Sequence, residues 1–355
     1  MSIAFRSKID SMKIKINIIG LGIMGKSIGN VLARNRDVRI TACASLKEED
    51  CEVAKSQFNF ERSYQDYEKM LAAERPDAVY IATPDWAHFE PVMAALESGI
   101  HVHVEKPLTT DEQQAAAIVK KVRETGLKLQ VSYNHRWLAP YNATYNMIRE
   151  GQIGQCLMGY ARKSNPITVP TQMIPWAKDS SPMWFLSSHD IDLMSWWFDD
   201  DPVEVKGFGV KQVLKQKFGW DTYDALQGLV RFSRGGFATF ESAWIYAENH
   251  PAMPDSFMEV VGERGHVHLD RKAEAIEMST QDGLKWPRTL LNYQVFDKWV
   301  GAFPSCINSF IDDLIDDRQP VVTAFDGWRC TAVLDALHRS ADSGQTIAVA
   351  KPPEH

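Results

Sequence analysis

Short apolar runs alternate with amphipathic stretches through the first part of the chain. Residues 13–19 read KIKINII, an Ile-rich run that predicts a buried strand. Residues 38–44, 78–82, 100–104 and 127–132 predict further strands. Residues 24–34, 48–58, 64–73, 86–98 and 110–125 predict the helices between them, the last two followed by Gly99 and Gly126. Strands that alternate with helices pair in parallel through crossover helices, and the right-handed crossover rule makes a doubly wound sheet the simplest outcome.

After Pro140 the pattern changes. A helix over 141–150 stops at Gly151, and strand-like runs follow at 156–163, 203–213, 225–232, 237–244, 257–261 and 266–269. The turns Ser233-Arg-Gly-Gly236 and Gly262-Glu-Arg-Gly265 join neighbouring strands, which pairs them antiparallel. One helix interrupts them, from a Ser180-Ser181 cap and Pro182 to Phe198, and helices over 304–316 and 324–343 close the chain.

The first strand runs directly into Gly20-Leu21-Gly22-Ile23-Met24-Gly25. This is G-x-G-x-x-G with a strand before it, a helix after it and a second strand about 20 residues on. Gly20 permits the tight turn, Gly22 lets backbone approach a pyrophosphate, and Gly25 lets helix and strand pack closely. The helix start, with Ile23 and Met24, then offers free N–H groups to phosphates. The segment therefore predicts dinucleotide binding.

Composition narrows the reading. With 45% hydrophobic residues, 355 residues carry enough apolar material for two cores. A net charge of -7 with no Lys/Arg run argues against a nucleic-acid partner. No apolar stretch reaches the roughly 18–20 residues of a membrane span. Residues 1–12 lack the apolar core of a signal peptide and read as a ragged leader. Five scattered cysteines, never C-x-x-C, point to a reducing compartment, the cytoplasm, and away from disulfides or thiolate zinc. His101/His103 and His266/His268 could each share a strand face, but no third ligand stands nearby, so no metal is expected.

The strand over 100–104 ends in Glu105-Lys106-Pro107. Ligands of open α/β sheets bind at the carboxyl ends of strands, which puts Lys106 where nicotinamide and substrate meet. With GLGIMG, ATPDWAH at 82–88, HVHVEKPL at 101–108, YNHRWLAP at 133–140 and HDIDL at 189–193, the chain resembles the glucose–fructose oxidoreductase, inositol dehydrogenase and MocA family over nearly its whole length. The resemblance implies an α/β fold: a Rossmann doubly wound parallel sheet, then an α/β domain on a large, mostly antiparallel open sheet. It implies Lys106 at the catalytic centre, and Thr83, Pro84, His88, Glu105 and Asn134 along the cofactor. The expected division is a dinucleotide-binding domain over 12–137, a substrate domain over 138–320, and a helical segment over 321–355 returning to the first domain. A homo-oligomer formed through the second sheet is the expected assembly.

Hydride transfer needs an oriented nicotinamide, a group that moves the hydroxyl proton, and a positive charge at the developing oxyanion. Lys106 supplies the charge, and His189 is the proton-transfer candidate. Many relatives carry an aspartate four residues before this histidine; here that position is Phe185. On a helix Asp192 shares the His189 face and is expected to orient the ring, while Asp190 points roughly 100° away. Arg136, Trp176 and Phe185 join Lys106 and His189 as expected substrate contacts, Trp176 because aromatic faces suit the C–H faces of sugars. NAD-preferring Rossmann domains carry an acid at the end of the second strand. Here residues 44–47 are Ala-Ser-Leu-Lys, so Ser45 and Lys47 favour NADP(H) over NAD(H). Three readings follow: a polyol, inositol or sugar dehydrogenase; an enzyme that uses NAD(P) transiently around an elimination or hydrolysis; and a non-catalytic dinucleotide sensor. The intact Glu105-Lys106-Pro107 argues against the last.

Overall fold

A computed structural model describes residues 13–353. The leader expected over residues 1–12 lies outside the described residues. The chain divides into two compact units. One comprises residues up to Thr109, Gln113–Tyr133 and Gln294–Trp328; the other comprises Thr110–Glu112, Asn134–Tyr293 and Arg329 onward.

The first unit is built on six parallel strands: β1 (Ile14–Ile19), β2 (Val38–Ala44), β3 (Arg62–Tyr64), β4 (Ala78–Ile81), β5 (His101–Val104) and β6 (Leu129–Val131), in the order β3-β2-β1-β4-β5-β6. This is the doubly wound order, with the topological switch between β1 and β4. The connecting helices are α1 (Ile23–Leu32), α2 (Glu48–Gln57), α3 (Tyr67–Glu74), α4 (Phe89–Glu97) and α5 (Glu112–Thr125). The last four residues of β1 are all buried, which is why that strand reads as a continuous apolar run. The one polar residue among those four, Asn17, is held through its side-chain oxygen. Its Oδ1 accepts from Thr41 Oγ at 2.6 Å and Ala42 N at 3.0 Å, where the β1–β2 register shifts.

The segment that completes this core from far along the chain is the helix Ala302–Ile315. Its Phe303, Ile307, Phe310 and Ile311 join Ile16, Ile18, Ile28 and Tyr80 in one buried cluster. The expected returning segment is 321–355; the late segment grouped with the first unit is Gln294–Trp328, which holds the helix Ala302–Ile315 and overlaps that expectation at 321–328.

The second unit carries a seven-stranded mixed sheet. Its main strands are β7 (Cys156–Ser164), β8 (Pro202–Val210), β9 (Ala225–Phe232), β10 (Phe237–Ala243), β11 (Asp255–Gly262) and β12 (His266–Asp270), with Ile347–Ala348 at the β8 edge. All neighbours are antiparallel except β7 and β10, which run parallel. Burial alternates strictly along β9, as expected for a sheet with one covered face. Gly159 on the covered face of β7 abuts Met194 of the helix Ser188–Phe198. On the other face Met158, Leu229, Phe237 and Phe208 are exposed.

The helix expected over 180–198 is not uniform. Residues Met183–Ser187 form a π turn, and the α-helix proper is Ser188–Phe198. Ser181 acts at its start as expected, its Oγ accepting from Trp184 N at 3.2 Å.

Candidate functional site

In the first unit the glycine turn is dictated by steric exclusion. Gly20 has φ +88°, a left-handed conformation, and a Cβ there would lie 2.6 Å from the Ala82 carbonyl oxygen. At Gly25 a Cβ would lie 1.8 Å from the Gly20 oxygen, which no side chain survives. The two glycines thus lock β1, α1 and the end of β4 together at the switch point. Gly22 is different: a Cβ there would meet nothing within 4 Å. That open space lies at the uncapped N-terminus of α1, where backbone N–H groups suit a pyrophosphate. Ile23 and Met24 follow, both exposed. The residues present therefore fit a dinucleotide.

Beyond β4, Thr83 Oγ1 donates to Ala87 O at 3.0 Å, and Pro84 precedes the short turn Asp85–Ala87. His88 is buried, its Nδ1 2.7 Å from Pro107 O and its Nε2 3.0 Å from Thr83 O. Its ring therefore braces the loops after β4 and β5 against each other. Burial lowers its pKa, chiefly against the pull of the Pro107 carbonyl. Glu105 is buried at the end of β5, and its Oε2 accepts from Lys106 N at 3.3 Å. Burial raises the Glu105 carboxyl pKa, with the Lys106 ammonium drawing it back. Ser45 and the exposed Lys47 follow β2, Ser45 N bonding Tyr64 O at 3.0 Å.

In the second unit His189 is half-buried, and its ring stacks on His135 with centroids 4.1 Å apart and planes at 13°. His135 Nδ1 lies 3.3 Å from Lys163 Nζ, whose ammonium only donates, so this ring nitrogen is the acceptor. Lys163 in turn sits 2.5 Å from Asp190 Oδ1, both side chains at 2% exposure or less. Burial pushes Lys163 down to about 8 against the opposing Asp190 charge. Burial likewise raises Asp190, with Lys163 opposing. His135 is held well below its ordinary value by burial, then by the charges of Lys163, His189, Arg271 and Arg288. Arg271 and Arg288 themselves share the buried Glu274, at 2.5 and 3.3 Å.

The expected partnership of His189 with Asp192 gains a competitor. Asp192 takes a two-pronged ion pair from Arg136, Nε to Oδ2 at 2.9 Å and Nη2 to Oδ1 at 2.6 Å. Arg136, expected at the substrate, is buried in that pair, its guanidinium 5.1 Å from the Trp196 ring. Asp190, set aside by helical angle, belongs to the cluster touching the histidines. Phe185 lies in the π turn Met183–Ser187, directly before the α-helix that carries His189. Phe185 packs edge-on to Trp176 at 6.1 Å, and both border the apolar cluster of Ile167, Ile174 and Trp244. Asn134 and Asn165 are buried, each with an Oδ1 that has no hydrogen-bond partner among the described residues, leaving two acceptors for ligand donors.

Sequence reading missed Lys163, Asn165 and His135. One signal was available: Lys163 has the same strand parity as Gly159 and Ala161, the covered face of β7. An ionisable residue at a core position is a functional candidate by itself.

Comparison with known proteins agrees along the chain. A family model described as the GFO/IDH/MocA oxidoreductase family with an NAD-binding Rossmann fold matches residues 14–133. The model of the GFO/IDH/MocA C-terminal domain matches 141–268. Inositol 2-dehydrogenase of Rhizobium meliloti is 24% identical, over 96% of this chain and 100% of its own. D-glucoside 3-dehydrogenase of Escherichia coli is 22% identical, over 96% and 99%. The structure of scyllo-inositol dehydrogenase from Lactobacillus casei, with NAD(H) and scyllo-inositol bound, superposes with a TM-score of 0.82 at 22% identity, over 96% and 100%.

Proposed function

Because the chain belongs to the GFO/IDH/MocA oxidoreductase family, we propose that it oxidises or reduces one CH–OH carbon of an inositol-like or sugar-like polyol with a nicotinamide dinucleotide. The observation that supports this most is the glycine turn with open space at Gly22, in a unit whose β5 ends on Glu105-Lys106. When bound, the dinucleotide supplies the hydride acceptor or donor. Lys106 holds its ammonium at the reacting oxygen and steadies the charge that develops there. His189 takes the hydroxyl proton in oxidation and returns it in reduction. Asn134 and Asn165 offer open acceptors to ligand hydroxyls or amides, and Trp176 with Phe185 offers an apolar wall for C–H faces.

Between the two dinucleotides, Ser45 and Lys47 speak for a 2′-phosphate, and the NAD(H) in the Lactobacillus casei enzyme speaks for the plain ribose. The exposed Met158, Leu229, Phe237 and Phe208 of the second sheet suit a homo-oligomer formed through that face, which light scattering on the purified chain would test. The five free, buried cysteines suit the cytoplasm.

A panel of inositols, polyols and sugars with NAD⁺ and NADP⁺, followed at the nicotinamide absorbance, tests the reading. Net reduced dinucleotide supports a dehydrogenase, and product without it supports transient use. Lys106→Ala is expected to lower kcat by about a hundredfold or more while dinucleotide affinity stays nearly unchanged. Retention of more than about a tenth of kcat removes Lys106 from its role. His189→Ala is expected to cost a similar factor and erase the neutral-pH limb of the rate profile. A larger loss in Asp192→Asn than in His189→Ala makes the aspartate the base.

A further inference from the structure

Three elements of the first unit meet just beyond the end of β2. Ser45 follows the strand, Lys26 lies in the second turn of α1, and Asp50 closes a first turn of α2 that also holds Glu48 and Glu49. Lys26 Nζ lies 3.2 Å from Asp50 Oδ1, and Ser45 Oγ lies 3.5 Å from Asp50 Oδ2. The Asp50 side chain keeps 32% of its exposure, so the carboxylate is held in place yet open to a ligand.

In a doubly wound dinucleotide domain the end of the second strand meets the adenosine ribose, and an acid there accepts the 2′-hydroxyl proton and repels a 2′-phosphate. Residues 44–47 contain no acid. Folding supplies one from the next helix and brings its carboxylate to Ser45. We propose that Asp50 selects the dinucleotide and that it selects NAD(H). This rests on the dehydrogenase reading above. Lys26, which could meet a 2′-phosphate, already spends its charge on Asp50. Lys47 stands beside Glu48 and Glu49. A phosphomonoester carries nearly two negative charges at neutral pH and enters this acid-rich turn at a penalty that a hydroxyl does not meet.

The test is the dissociation constant of NAD⁺ and of NADP⁺, by calorimetry on the full chain and on Asp50→Asn and Lys26→Met, with thermal melts to verify folding. The unaltered protein is expected to bind NAD⁺ at least about tenfold more tightly, the scale of one like-charge contact near a protein surface. Asp50→Asn is expected to narrow that ratio by a similar factor. Lys26→Met, which leaves the carboxylate uncompensated, is expected to widen it. A role that is merely structural moves both affinities together and leaves the ratio alone. Tighter NADP⁺ binding by the unaltered protein, or an unchanged ratio in Asp50→Asn, overturns the assignment and leaves the dehydrogenase reading standing. Failure of both dinucleotides to bind overturns both.

Discussion

The two units hold their candidate functional groups by opposite means. In the first, the phosphate turn is backbone. Gly20 and Gly25 exclude any Cβ, Gly22 leaves space, and the uncapped start of α1 offers N–H groups. In the second, the site is side chain: His189 leans on His135, which is bonded to Lys163, which is paired with Asp190, all but His189 fully buried. A backbone site depends on what is absent, the Cβ. A side-chain site depends on charges that must be balanced, because a buried charge without its partner is costly. The first kind does not depend on the titration of a side chain, and at Gly20 and Gly25 it admits no change of residue. The second tolerates some changes of residue if charge is kept in balance.

The sharpest way to break this contrast is a side chain in the turn. Gly25→Val drives a Cβ into the Gly20 carbonyl, so the first unit is expected to lose more than about 5 kcal/mol or to fail to fold. A folded Gly25→Val with normal NAD⁺ affinity, measured by denaturant melts and calorimetry, ends the steric account.

Next in size is the charge balance. Lys163→Met leaves Asp190 buried and uncompensated and is expected to cost about 3–5 kcal/mol. The double variant Lys163→Met, Asp190→Leu is expected to recover most of that loss. If it melts no higher than the single variant, the pair is not what stability rests on there.

The smallest effect compares the units in acid. His103 in the first unit is fully buried against Tyr80 and Phe310, and burial lowers it to about 3. His338 in the second is lowered to about 4, again by burial, with Ser181 Oγ and Leu334 O on its two nitrogens. A depressed histidine favours the folded state fully above its unfolded pKa near 6.5 and loses that contribution as pH falls toward the folded value. Each residue is therefore expected to remove about 2 kcal/mol between pH 7 and pH 5. Below pH 4 His338 takes up its proton and stops contributing, while the loss from His103 continues toward pH 3. Urea melts of His103→Phe and His338→Phe across this range check the order. Equal acid slopes for both variants and the unaltered protein remove the effect.

Legibility followed the same division. The strand–helix alternation, the glycine turn and Lys106 at the end of β5 could be read directly, since each depends on neighbours in sequence. The helix over 180–198 was read correctly in extent, but its π turn at Met183–Ser187 was invisible, and with it the real setting of Phe185. The ion pair of Arg136 was invisible as well, because nothing in the chain said that Asp192, far along it, would take both prongs of its guanidinium.

By itself the sequence determined the doubly wound order of the first unit, the site of its phosphate turn and the change to antiparallel strands beyond Pro140. Those features follow from period, propensity and the sterics of single residues, which act over a few positions. Only tertiary structure decided which ions meet: Lys163 with Asp190, Arg136 with Asp192, and Asp50 with Lys26 at the end of β2. Pairing of charges depends on distances through space of a few ångströms, and the local pattern of a chain does not encode those distances.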